Sequence, residues 1–133
     1  MDGTVDLRGQ LIPVTGTSRV TNDGSRVQEE IDLLMDIDGK TVPFKASYSA
    51  DIHETERNRI PFTGTSTQLG DGSGTMELLP DCVHSVKFSD KLNITEHGVQ
   101  MWLNNQELKA VSYTMDENGK RTGAMTLYKR KRG

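Results

Sequence analysis

The sequence predicts an all-β fold, a single domain over residues 1–133 built as a closed or nearly closed antiparallel β-barrel of eight or nine short strands. Three observations lead there. Apolar and polar residues alternate with a period of two over long stretches, tight-turn dipeptides separate those stretches, and hardly any segment has a helical period. A two-sheet β-sandwich uses the same alternating strands and stays as the alternative.

Composition limits the core and the partners. A chain of 133 residues with 33% hydrophobic and 5% aromatic residues is long enough for one modest, mainly aliphatic core. Its 16 basic and 19 acidic side chains give a formal charge of -3, which argues against a nucleic-acid partner. The single cysteine, Cys82, excludes an internal disulfide and is compatible with a reducing compartment.

The first predicted strand lies in a sequence segment that occurs twice in the chain. Residues 12–29 and 60–77 share ten identities in eighteen aligned positions, beginning "IPVTGTS" in one copy and "IPFTGTS" in the other. Pro and Gly at matching places predict two equivalent strand bends, each followed by a polar turn at Asp23-Gly24 or Asp71-Gly72. A paired site formed by the hydroxyls of the two phrases is the less favoured interpretation, since turns need Gly, Thr, Ser and Asp anyway.

The clearest hairpin lies between residues 26 and 50. Large apolar residues occupy odd positions before Asp38-Gly39 and even positions after it. An Asp-Gly type I′ turn places Ile37 opposite Lys40 and pairs Leu33 with Phe44, so that all the large apolar side chains share one face. The charged stretch that follows, residues 49–59, has no clean period and predicts a loop, a short helical turn or a lid.

The C-terminal half predicts a meander of four strands. Val86 and Phe88 alternate along one strand, and Val99 and Met101 along the next. Turns at Asn104-Asn105 and Asn118-Gly119 then lead into the last two strands. If this alternation places the apolar residues inside, His84 and Asp90 share the inner face and are the best polar candidates in a cavity.

The opposite face of this meander is the candidate contact surface. Trp102, Val111, Tyr113 and Tyr128 share it, and aromatic side chains on an outer sheet face are typical of an interface. The sequence ends in the basic run "YKRKRG", which favours a solubilising strand end over a nucleic-acid site because no aromatic platform surrounds it.

No motif specifies catalysis, a metal or a cofactor. His53, His84 and His97 lack the spacing of metal ligands, and Cys82 has no adjacent histidine to activate it. The hairpin turns lack the ligands of a calcium loop, and no phosphate-binding or dinucleotide-binding glycine loop is present. We therefore expect no cofactor and lean against an enzyme.

Two functions are favoured, and the third hypothesis is an enzyme whose reaction no motif identifies. The first is a barrel that binds a small, largely apolar ligand, and its predicted site consists of Leu33, Met35, Phe44, Tyr48, His84, Phe88, Asp90 and Met101. The second is a protein-interaction or assembly module, with a protein partner or further copies of itself, that uses the aromatic face and the basic tail. No signal peptide or membrane span is present in the sequence, so the expected location is the cytoplasm.

Overall fold

The computed structural model describes residues 2–7, 10–51, 59–67 and 69–130. Ten β-strands run through these residues, and their bounds are β1 Asp2–Leu7, β2 Gln10–Asn22, β3 Arg26–Ile37, β4 Lys40–Asp51, β5 Arg59–Ser66, β6 Gly70–Leu78, β7 Cys82–Ser89, β8 Thr95–Trp102, β9 Glu107–Met115 and β10 Arg121–Arg130. Within the described part of the chain, no helix is long and apolar enough to cross a membrane.

The strands form one closed antiparallel barrel in which each strand pairs with its neighbours along the chain. Pairing of β1 with β10 closes the barrel, with Gly3 opposite Leu127. Closure gives each of the described strands a paired neighbour on both sides. The predicted barrel is confirmed and the sandwich alternative is excluded. The tenth strand is β1, which contributes Val5 to the core and has too short a pattern to be detected alone.

The predicted hairpin is confirmed residue by residue. Ile37 lies opposite Lys40 and Leu33 opposite Phe44 in the β3–β4 pairing. Asp38 and Gly39 have φ values of 51° and 76°, as a type I′ turn requires. Because the turn and the alternation specify the same register, both strands place their large apolar side chains inside the barrel.

The two copies of the repeat begin alike and then diverge. "IPVTGTS" lies in β2 and "IPFTGTS" in β5, and in both copies the first Ile is buried. A Cβ at Gly16 would overlap the backbone of Asp32, and one at Gly64 would lie 2.5 Å from Cδ1 of Tyr48. Glycine is therefore needed at this position in both copies because a neighbour approaches closely.

The predicted turn of the second copy is wrong. Asp23 and Gly24 do form the β2–β3 turn, and the side chain of Asp23 accepts a hydrogen bond of 2.7 Å from the backbone N–H of Arg26. Asp71 and Gly72 instead lie inside β6, because β5 ends at Ser66 and the connection follows at once. Both copies therefore form a hairpin, but the turn of the second copy comes earlier in the repeat than the turn of the first.

The turns of the C-terminal meander fall where predicted. Asn104 Oδ1 accepts backbone hydrogen bonds of 2.8 and 2.9 Å from Gln106 and Glu107 between β8 and β9. Gly119, at φ 79°, lies in the turn between β9 and β10.

The predicted faces of β7 and β8 are reversed. Lys87 and Ser89 are buried at 2% and 1% exposure, whereas Phe88 between them is 49% exposed. Large apolar side chains from the N-terminal strands already occupy much of the interior, so the inner row of β7 carries Ser85, Ser89 and the unbranched side chain of Lys87 in place of the bulkier Phe88.

The core lies at one side of the barrel. One buried cluster is drawn from β1, β2, β3, β4 and β10, and its members are Val5, Ile12, Val14, Ile31, Leu33, Ala46 and Leu127. A smaller cluster consists of Ala50, Ile60 and Phe62. We call β1–β4 the aliphatic wall and β7–β9 the polar wall.

Of the charged stretch at 49–59, residues 49–51 and 59 belong to β4 and β5, and the predicted lid with His53 lies outside the described residues.

Candidate functional site

A cavity of about 310 Å³ lies inside the barrel and receives residues from nine strands, β2 to β10. Most of its lining is apolar, including Ile31, Leu33, Phe44, Ala46, Ala50, Phe62, Met76, Leu78, Val83, Ala110, Met125 and Leu127. A concave, mainly apolar space of this size, with a few polar groups, is typical of a site for a small molecule.

The cavity extends toward the barrel end that carries the connections after β2, β4, β6 and β8, which we call the mouth. Lining residues there include Val20 and Leu78, which are 61% and 39% exposed and lie at the ends of β2 and β6. Val14 and Ile12, deeper toward the other end, are fully buried in the core. Further exposed apolar side chains follow the ends of β6 and β8, namely Leu79, Trp102 and Leu103.

One ion pair lies in the cavity wall near the mouth. Lys129 Nζ donates a hydrogen bond of 2.8 Å to Glu29 Oε2, and Ser18 Oγ donates another of 2.6 Å to the same oxygen. Both charged side chains are largely buried, at 15% and 17% exposure. Both donors bind one oxygen of the Glu29 carboxylate, and the contacts connect β3 with β2 and β10.

A second set of polar groups lies on the polar wall. Lys87 and Glu96 are directly opposite each other in the β7–β8 register. The Lys87 ammonium lies 5.3 Å from the centre of the Tyr48 ring, and among the described residues its Nζ has no hydrogen-bond partner. Glu96 and Tyr48 both line the cavity. A buried ammonium without an acceptor is rare, because it keeps the full cost of losing its water.

Burial controls the charge states of the two cavity-lining groups beside Lys87. Loss of solvent raises the pKa of Glu96, and the Lys87 ammonium offsets part of that increase. Loss of solvent also raises the pKa of Tyr48, with smaller contributions from the carboxylates of Glu96 and Glu29. Tyr48 therefore stays a neutral phenol at physiological pH.

The structure divides the predicted ligand residues into two groups. Leu33, Phe44 and Tyr48 line the cavity. Met35 packs against the core cluster and is not part of the cavity lining. These four come from the hairpin whose register the sequence specified.

The four predicted ligand residues from the C-terminal half lie elsewhere. His84, Phe88 and Met101 occupy outward register positions of β7 and β8, with Phe88 and Met101 49% and 37% exposed. Asp90 is exposed in the β7–β8 turn, where its backbone N–H donates to the Asp71 carbonyl at 3.0 Å. The reversed faces of β7 and β8 account for this difference.

Three of the four predicted interface residues lie on the outside of the barrel. Tyr113 stacks on His97 with ring centres 4.9 Å apart, and Lys109 Nζ lies 5.8 Å from the centre of the Tyr128 ring. Val111 is in an outward register position and borders the cavity beside Ala110. Trp102 differs, because it pairs with Leu108 on the inward rows at the mouth and is 56% exposed.

The repeated hydroxyls do not meet in one site. Thr17 and Thr65 are exposed, and Ser18 and Ser66 share one inward row in which Ile31 and Ala46 lie between them. Three strand spacings separate the two serines, about 14 Å. Ser66 Oγ accepts a hydrogen bond of 3.0 Å from the Leu69 backbone N–H.

Cys82 and the carboxylates add no reactive centre to the described residues. Burial raises the pKa of the Cys82 thiol, and the neighbouring carboxylate of Asp81 raises it further, so the nucleophilic thiolate is disfavoured. No three His, Cys, Asp or Glu side chains in the described ranges are grouped as metal ligands.

Sequence reasoning missed the inner side chains of the polar wall. Ser85, Glu96, Gly98, Gln100 and Ser112 line the cavity, and Lys87 lies beside it. The sequence does contain a signal for them. Small or polar residues occupy positions 85, 87 and 89 as regularly as apolar residues occupy positions 86 and 88.

No protein-family model matches this chain, and neither the curated proteins nor the solved structures contain a match to it.

Proposed function

We propose that the protein binds a small, largely apolar molecule inside the barrel and does not transform it. The observation that carries this proposal is the cavity of about 310 Å³, whose lining is mainly aliphatic and aromatic and which extends to the mouth. Binding there removes apolar ligand surface from water, at a gain of about 25 cal/mol per Å² before the costs of association.

The polar groups of the cavity support binding over catalysis. Glu29 is held by Lys129 and Ser18, and Tyr48 stays neutral, so neither is a ready general base. The direct cross-strand neighbour of Glu96 in the β7–β8 register is the cationic Lys87 and not a nucleophile. These polar groups can orient a bound ligand by hydrogen bonds without a nucleophile or a base.

Titration with 2-ethylnaphthalene, followed by its fluorescence, tests the proposal. We expect saturable binding with a dissociation constant on the order of tens of micromolar, as the ligand efficiency of small apolar molecules implies. Ala110→Phe fills the cavity and should abolish binding, whereas Thr75→Phe, at an exposed site, should leave it unchanged. Absence of saturable binding to the wild-type protein at the solubility limit of the probe would contradict the proposal.

A second candidate function is self-association through the outside of the polar wall. The outward positions of β7–β9 carry Val86, Phe88, Val99, Met101, Val111, Tyr113 and Met115, and their formally charged residues are Lys109 and Glu107, of which Glu107 pairs with Arg130 at 2.8 Å. A two-fold contact joins the same face of both copies, so an apolar face with few charged groups suits a second copy of this chain.

Sedimentation equilibrium distinguishes the second candidate from a monomeric binding barrel. The double variant Phe88→Ser and Tyr113→Ser should shift a dimer to the monomer, because both side chains are exposed in the single subunit. Leu34→Ser is the matched control, since Leu34 is 50% exposed on the aliphatic wall. A monomeric wild-type protein at millimolar concentration would exclude this function and leave the cavity proposal intact.

A further inference from the structure

Given the binding function proposed above, we infer that the ligand is uncharged and carries one oxygen acceptor, a carbonyl or hydroxyl, which the Lys87 ammonium binds. The first observation is the ammonium itself. Lys87 is 2% exposed, and its Nζ lacks an acceptor among the described residues. An ammonium has three N–H donors, and the π face of Tyr48 satisfies them only weakly.

The second observation is the position of Lys87 beside the cavity. Its ammonium faces the Tyr48 ring and its β-sheet neighbour is Glu96, and both of these residues are part of the cavity lining. Lysine has a flexible four-carbon stem. Lys87 is not itself part of the cavity lining, and the proposal requires its ammonium to turn about this stem from the tyrosine face to an oxygen in the cavity.

Glycines beside Lys87 leave room for that movement. Gly74 lies opposite Lys87 in the β6–β7 register. A Cβ at Gly72 would lie 3.3 Å from Lys87 Cε, so a larger residue there would restrict the stem. Gly98 follows on β8 and lines the cavity without a side chain. The inner surface around Lys87 thus carries glycines on two strands, β6 and β8.

The charge balance of the interior specifies the class of ligand. Glu29 pairs with Lys129 at 2.8 Å, and Glu96 faces Lys87 in the sheet. An anionic ligand head at Lys87 would lie next to the Glu96 carboxylate, and a cationic head at Glu96 would lie next to the Lys87 ammonium. A neutral oxygen accepts from Lys87 and meets neither repulsion.

Either protonation state of Glu96 is compatible with an uncharged ligand. Burial raises the pKa of this carboxyl, so Glu96 keeps its proton to a higher pH than an exposed glutamate does. In its protonated form, Glu96 donates a hydrogen bond to the same oxygen that Lys87 binds. Both forms of Glu96 are therefore compatible with an uncharged acceptor.

Three naphthalenes with the same ring system test the inference: 2-acetylnaphthalene, 2-ethylnaphthalene and 2-naphthoate. We expect the ketone to bind about tenfold more tightly than the ethyl compound, because a hydrogen bond to a charged donor contributes that much. The naphthoate should bind more weakly than the ketone. The carbonyl stretch of bound, ¹³C-labelled ketone should move to lower frequency than in an aprotic solvent, which reports the hydrogen bond directly.

The variant Lys87→Met should remove the tenfold preference for the ketone while binding of the ethyl compound persists. Lys45→Met is the matched control, because that lysine is exposed and pairs with Asp32 at 3.6 Å on the outside of the barrel. If Lys87→Met does not fold, the infrared shift and the ligand preference of the wild-type protein decide alone.

The outcomes separate the two proposals. Equal affinity for the ketone and the ethyl compound, with no infrared shift, would overturn the role of Lys87 and leave the apolar binding function standing. Preference for the naphthoate would overturn the uncharged ligand class in favour of an acid. Failure of all three compounds to bind would refute the binding function itself.

Discussion

Apolar and polar residues alternate on both walls of the barrel, but the apolar residues point inward on one wall and outward on the other. On the aliphatic wall, β1–β4, the buried inner residues are Val, Ile, Leu and Ala, while outward positions such as Asp32 and Lys45 are charged. On the polar wall, β7–β9, the inner positions include Ser85, Lys87 and Glu96, and Val, Phe, Met and Tyr lie outside. The same period of two therefore encodes two different surfaces.

Volume and solvation explain the difference. The aliphatic wall projects large side chains such as Leu33, Phe44 and Tyr48 across the interior. The cavity remains because the facing wall carries small residues along part of its inner side, namely Ser85, Gly98 and Ser112. One side of the barrel thus supplies stability, and the other supplies space and polar groups for a ligand.

The largest expected effect distinguishes core from surface within the aliphatic wall. Leu33→Ala should lower the free energy of unfolding by about 3 kcal/mol, because Leu33 is 1% exposed and its neighbours relax only partly. Leu34→Ala, next in sequence but 50% exposed, should cost less than about 1 kcal/mol. Urea denaturation measures both. Equal losses in the two variants would contradict the assigned faces.

A smaller effect compares the same substitution on both walls. Val14→Thr should destabilise the protein by about 1–2 kcal/mol, because the new hydroxyl would lie in a site that is 2% exposed and aliphatic. Val83→Thr, in the cavity wall near the mouth, should change stability by about 0.5 kcal/mol or less, since water can reach the hydroxyl. Thermal unfolding monitored by circular dichroism provides the comparison, and a larger loss for Val83→Thr would refute it.

The smallest effect is the pH dependence contributed by Glu96. Burial raises the pKa of folded Glu96 above its ordinary value of 4.5, so the folded state binds more protons than the unfolded state just above that pH. Stability should therefore fall as pH rises from 4.5 through the folded pKa.

Glu96→Gln removes this contribution, and its unfolding free energy should fall less over the same pH interval. Urea denaturation at several pH values from 4.5 to 7 measures the two slopes, with Glu77→Gln as the control because Glu77 pairs with Arg59 at 3.3 Å on an exposed surface. Parallel curves for wild type and Glu96→Gln would show that Glu96 is not desolvated.

The hairpin at residues 26–50 was predictable because two independent signals agreed. The Asp38-Gly39 turn and the alternation around it specified one register, and three of the hairpin's residues, Leu33, Phe44 and Tyr48, line the cavity. The reversed strands show the limit. In β7, Val86 and Phe88 alternate with Lys87 and Ser89 equally well in either orientation, and hydrophobicity favoured the wrong one.

The sequence by itself determined the all-β class, the antiparallel strands and most of the turns, because those depend on residues close together along the chain. Only the tertiary structure decided which face of each C-terminal strand points inward. That choice depends on the volume that β1–β5 already occupy across the barrel, and on closure of β1 against β10, which join residues more than a hundred positions apart. Burial of Lys87 beside Glu96 and Tyr48 follows from this closure, and no local pattern specifies it.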